Sequence, residues 1–95
     1  MATACYAGES ACYRAAHNID QAIRQHESQG MPLHEAELKA FEEFAIESSI
    51  LKVSCSEAIQ ECADDGIQIL GGMGFSADTP LESAWRDARI GRIYE

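Results

Sequence analysis

Basic residues are scarce in this chain: seven Lys and Arg stand against sixteen Asp and Glu among 95 residues, a formal net charge of −9. That balance argues against nucleic acid or an anionic membrane surface as partner, because phosphate contacts need cations to neutralise them. Long apolar runs are missing as well, with no stretch of about 18 or more residues that could span a membrane. The first residues have neither the positive region nor the apolar segment of a secretory signal. Met1 opens directly into a helical pattern, as an internal methionine would. No segment alternates with the period of a strand. His-Glu-x-x-His, Cys-x-x-Cys, a Walker loop and a Gly-x-Gly-x-x-Gly after a strand are all absent. His17, His26 and His34 share no face and read as surface or boundary residues, not ligands.

What remains is helix. Cys5, Gly8, Cys12, Ala15, Ile19, Ala22 and His26 recur at three- and four-residue steps and predict one helix over residues 1–29 with a seam of small side chains. Asp20 and Arg24 are placed on it for an i,i+4 pair. Gly30 is its stop and Pro32 the next start. Neither Gly nor Pro interrupts residues 33–65, and the pattern continues through Gly66 to Leu70. Leu38, Phe41, Phe44, Ala45, Ser48, Leu51, Cys55, Ala58, Ile59 and Cys62 supply the second seam. At 1.5 Å per residue this helix would be about 57 Å long, whereas a compact 100-residue domain is only about 35 Å across, from a radius of gyration near 13 Å. It overhangs whatever the rest of the chain can cover, so a larger body or a partner chain must pack against it. Gly66, inside the run, costs about 1 kcal/mol relative to Ala; close helix packing explains it, and a ligand contact is the other reading.

Four cysteines stand at 5, 12, 55 and 62. Seven residues of helix is about 10.5 Å, too far for a disulfide within either pair, while a pair across helices is allowed. Metal ligands come at closer spacing, so no metal site is expected. Small thiols on a helix seam are the plain reading, and free thiols fit a reducing compartment.

The remaining stretch carries the sharpest signals. Gly71, Gly72 and Gly74 can take φ > 0, end the helix and let the backbone pass close to a neighbour. Thr79 suits an N-cap, Pro80 the first helical position and Glu82 a capping box, predicting a third helix over 80–94. Arg86, Arg89 and Arg92 stand three apart on it, as on a salt-bridged or solvated face.

Gln68-Ile69-Leu70-Gly71-Gly72-Met73-Gly74-Phe75, Trp85-Arg86-Asp87-Ala88-Arg89-Ile90 and Ile93-Tyr94-Glu95, at this mutual spacing, resemble the signature of the acyl-CoA dehydrogenase flavoenzymes. The resemblance implies an all-α fold: a long antiparallel helical hairpin plus a third helix, part of the four-helix-bundle C-terminal domain, with residues 1–95 a partial copy. It implies FAD as cofactor and α,β-dehydrogenation of fatty acyl-CoA thioesters in β-oxidation. Glu95, closing Ile-Tyr-Glu, matches the family's commonest α-proton base. Some members place the base on another helix and lack this glutamate. Gln68, Ile69, Leu70, Gly71 and Gly72 match the segment that meets the adenosine–pyrophosphate part of an FAD held mainly by the neighbouring subunit. Trp85, Arg86 and Asp87 read as packing and helix-pinning residues.

The implied partners are the enzyme's remaining domains, a homodimer or homotetramer, and an electron-transfer acceptor. The implied setting is the bacterial cytoplasm or the mitochondrial matrix. The family's following Gly-Thr turn, its N-terminal helical domain and its middle β-domain are not in these 95 residues, so the chain by itself is expected to be inactive. Leu33–Glu43 extends the hairpin in the manner of very-long-chain-type relatives. A non-catalytic helical interaction module and part of an acyl-CoA oxidase are the alternatives.

Overall fold

The computed structural model describes residues 1–94 and is all-α: α1 (Ala2–Ser28), α2 (Leu33–Glu43), α3 (Ala45–Leu70), the single turn α4 (Gly72–Phe75) and α5 (Leu81–Ile90). α1 ends in a Schellman turn, the Gly30 amide donating to Glu27 O and the Met31 amide to His26 O. Gly30 takes φ +88° there, and Pro32 leads into α2 as predicted.

The expected single helix over 33–70 is two helices. At Phe44 the backbone swings to φ −106°, ψ 19°, although hydrogen bonds reach across the break from Phe44 N to Ala40 O and from Ser48 N to Phe44 O. No Gly or Pro marks the place. Glu43, the last residue of α2, accepts a hydrogen bond from buried His26 at 3.0 Å, tying the break to the last turn of α1.

α1 lies antiparallel to both α2 and α3. Cys5 faces Cys62, Cys12 faces Cys55 and His26 faces Glu43. The seam is made of small side chains: Ala22, Ala36 and Ala40 are its buried apolar residues, and Gly8 lies against the Cys55 sulfur. Leu38 and Phe41, expected in the second seam, are exposed. Alanines at 36 and 40 let the helix axes come close, and that contact turns the bulkier neighbours outward. Asp20 and Arg24 form no ion pair among the described residues; the i,i+4 pair found is Glu82–Arg86 at 3.6 Å.

The molecule measures 60 × 24 × 19 Å with a radius of gyration of 18.1 Å, well above the roughly 13 Å of a compact domain this size. The molecule is therefore elongated despite the break, although α1 and α5 between them flank α3 along its length. No large side chain among the described residues is fully buried, while Ile46, Ile50, Val53 and Ile69 stand exposed along α3. Two buried polar atoms, His26 Nδ1 and Gln60 Oε1, find no hydrogen-bond partner among the described residues. The exposed apolar side chains along α3 are a surface suited to a covering body. No helix among the described residues is long and apolar enough to cross a membrane.

Candidate functional site: the glycine bend and the return helix

The end of α3 is reversed by Gly71 at φ +59°, ψ −132°, a conformation that disfavours any residue with a Cβ. Gly71 is the one glycine of the bend with positive φ. Gly74 serves the other purpose predicted for these glycines, close approach. A Cβ there would fall 2.7 Å from the Ile67 carbonyl oxygen and 2.8 Å from Ile67 Cα, so only hydrogen fits. The expected loop also contains one helical turn, α4, with Gly74 N donating to Gly71 O at 2.9 Å.

Thr79 does not cap α5 as predicted. Its hydroxyl donates backward to Met73 O at 2.9 Å and stitches α4 to the loop. Pro80 keeps helical dihedrals at the start of the helix, but Glu82 turns to Arg86 in place of closing a capping box. α5 ends at Ile90, four residues short of the expected Tyr94, where 3₁₀-type bonds take over: Gly91 N to Ala88 O, Arg92 N to Arg89 O and Ile93 N to Ile90 O.

α5 then runs back antiparallel along α3. Leu81 lies beside Gly66, 3.4 Å from where a Cβ would sit, so α5 packs on α3 at this glycine although a methyl would still fit. Trp85 Nε1 donates to Asp64 Oδ1 at 3.0 Å, and Arg92 Nε donates to Glu57 Oε1 at 2.8 Å. Trp85 is thus the helix pin it was expected to be, whereas Arg86 and Asp87 are exposed. Sequence reasoning placed Arg92 on a basic stripe but did not identify its partner. Glu57 and Asp64 stand seven residues apart, as do Trp85 and Arg92, but only the fold brings the two pairs together. Between α3, α4 and α5 lies a groove of about 390 Å³, floored by Ile67, Gly74 and Trp85 and rimmed by Asp64, Glu82 and Arg86.

The expected cofactor-contacting residues, Gln68, Ile69, Leu70, Gly71 and Gly72, form the last turn of α3 and the bend. All five are exposed. Nothing lies within 4 Å of where a Cβ would sit at Gly71 or Gly72. The bend therefore offers bare backbone and the Gln68 carboxamide to an approaching group. That is a donor set suited to an anionic, hydrogen-bonding ligand such as the pyrophosphate of FAD. These five residues lie outside the lining of the groove. The expected base, Glu95, lies outside the described residues. The chain leading to it passes Arg92, beside Glu57. Glu57 and Gly71 are nearly four helical turns apart, about 20 Å along α3.

The acyl-CoA dehydrogenase C-terminal domain pattern matches residues 1–95. This chain belongs to the acyl-CoA dehydrogenase family. It is 38% identical over all 95 residues to a probable acyl-CoA dehydrogenase of Bacillus subtilis (strain 168), covering 16% of that protein. It is 39% identical over 95 residues to the mouse mitochondrial very long-chain specific acyl-CoA dehydrogenase, covering 12% of it. The rat short-chain specific enzyme is 48% identical over 52 residues, 55% of this chain and 13% of that protein. The chain thus spans a small part of the length of the relatives it matches, and no solved structure matches it.

Proposed function

We propose that this chain is the C-terminal helical portion of an FAD-dependent acyl-CoA dehydrogenase, which introduces an α,β double bond into fatty acyl-CoA thioesters during β-oxidation. The observation that carries the reading is the family match over residues 1–95. The open glycine bend is the feature of the chain that best suits a cofactor. Bound FAD would supply the acceptor for the hydride that leaves the β-carbon. The chain's own contribution is proton transfer and positioning. Glu95 takes the α-proton on its carboxylate as the general base. Gln68, Gly71 and Gly72 present a carboxamide and close-approaching backbone to the adenosine–pyrophosphate part.

In this reading the bend meets a cofactor held mainly by the neighbouring subunit, and the glutamate serves its own. That reading implies a homodimer, or a homotetramer built from it. An electron-transfer protein would reoxidise the flavin, in the bacterial cytoplasm or the mitochondrial matrix. The exposed face of α3 is where the missing domains dock.

In the intact protein, Glu95→Gln removes the base and leaves the bend untouched. Dehydrogenation of acyl-CoA in a phenazine-coupled assay falls to near nothing while the flavin stays bound. Near-normal turnover refutes the role of Glu95. The isolated chain is expected neither to retain FAD nor to turn over substrate; a yellow, flavin-loaded preparation of it contradicts that.

A further inference from the structure

The four cysteines play no part in the proposed reaction, yet the fold sorts them into two facing pairs. The Cys12 and Cys55 sulfurs are 3.8 Å apart, and the Cys5 and Cys62 sulfurs 4.0 Å apart. All four are free thiols. They line one apolar groove of about 350 Å³ along the junction of α1 and α3. Gly8 stands between the two α1 cysteines, and a Cβ there would lie 3.5 Å from the Cys55 sulfur, so the helices meet closely at this level. The pairs are separated by seven residues on both helices, about 10.5 Å. Straight links need each sulfur to move inward by about 1 Å, because a disulfide spans about 2.05 Å; crossed links would have to bridge the heptad.

We propose that Cys5 with Cys62, and Cys12 with Cys55, are two oxidisable dithiol pairs that a low-molecular-weight disulfide such as oxidised glutathione converts into two interhelical disulfides, clamping α1 to α3. In each pair the exposed α1 cysteine is the point of entry. The Cys12 thiolate attacks one sulfur of oxidised glutathione, forming a mixed disulfide and releasing one glutathione thiolate. The Cys55 thiolate then attacks the Cys12 sulfur and releases the second. The two thiol protons end on the two glutathiones, and the two electrons lost by the protein pair reduce the reagent. Cys5 and Cys62 follow the same course. Burial, and then the neighbouring thiol, push Cys55 and Cys62 above the ordinary thiol range, which fits them to the second, intramolecular step. Neither the flavin nor the role of Glu95 enters this inference.

The test treats the intact native protein with oxidised glutathione, blocks remaining thiols by alkylation and maps the links without reduction. Trypsin leaves Cys5 with Cys12, and Cys55 with Cys62, on common peptides, whereas Glu-specific cleavage after Glu9, Glu57 and Glu61 separates all four. The expected result is loss of all four alkylatable thiols, with Cys5 joined to Cys62 and Cys12 to Cys55. Cys5→Ser should leave the Cys12–Cys55 link intact and Cys62 free. Stable glutathione adducts without a second step, crossed or intermolecular links, persistent free thiols, or Cys62 joined elsewhere in C5S each overturn the proposal.

Discussion

The two sides of α3 are attached by different means. Toward α1 it meets a seam of alanine, glycine and thiol side chains, where contact is non-directional and close approach supplies the attraction. Toward α5 it is held by two directional contacts, Trp85 to Asp64 and Arg92 to Glu57, and by a glycine bend with no spare volume at Gly74. A seam of small groups can slide or repack, whereas a pinned helix holds its angle. The pinned side is the one that carries the chain toward Glu95, the proposed base, and a catalytic base is sensitive to a misplacement of about 1 Å.

The contrast predicts a graded set of responses. Gly74→Ala drives a Cβ into the Ile67 backbone, which cannot yield as a side-chain tip can; a stability loss of about 1–3 kcal/mol is expected from overpacking, read as a lower urea midpoint. An unchanged midpoint would show that the bend is not rigid. Trp85→Phe keeps the ring and deletes the bond to Asp64, costing about 0.5–1.5 kcal/mol. The same measurement checks it, and a cost near zero would remove the pin from the account. Gly66→Ala places a methyl at 3.4–3.5 Å from the Leu81 side chain, an ordinary contact. The gain in helix propensity, up to about 1 kcal/mol, should make it neutral or stabilising, and marked destabilisation would mean that α5 cannot adjust. Glu82→Gln loosens only the exposed Arg86 pair, worth about 0.2–0.5 kcal/mol, and the loss should vanish in high salt; an effect that survives salt would point to a further contact of Glu82.

Much of this architecture was legible in the residues. The spacing of Cys5, Gly8, Ala15, Ile19 and Ala22 identified the α1 seam, and Gly30 with Pro32 identified the first turn. The break at Phe44 was not legible, because helix-stop signals are Gly and Pro and neither is there. The buried face of α2 was misread for a related reason. Hydrophobicity favoured Leu38 and Phe41, while close packing selected Ala36 and Ala40. Three neighbouring glycines look alike in sequence, yet Gly71 supplies the backbone angle and Gly74 the empty volume. Thr79 had the chemistry of a cap, but the Met73 carbonyl competed for its hydroxyl. Gln68–Gly72 could be located from the family pattern, whereas local periodicity marks them only as a helix end.

Among the described residues α1 and α5 share no contact: α1 rests on α2 and α3, α5 on α3 and α4, and α3 is the element common to both. The assembly is therefore a strut loaded in series: any tilt imposed at the Gly8 level reaches the return helix only by moving α3 as a beam. Substitutions in α1 and α5 should then combine additively when α3 stays straight, and a departure from additivity would measure how far that beam bends.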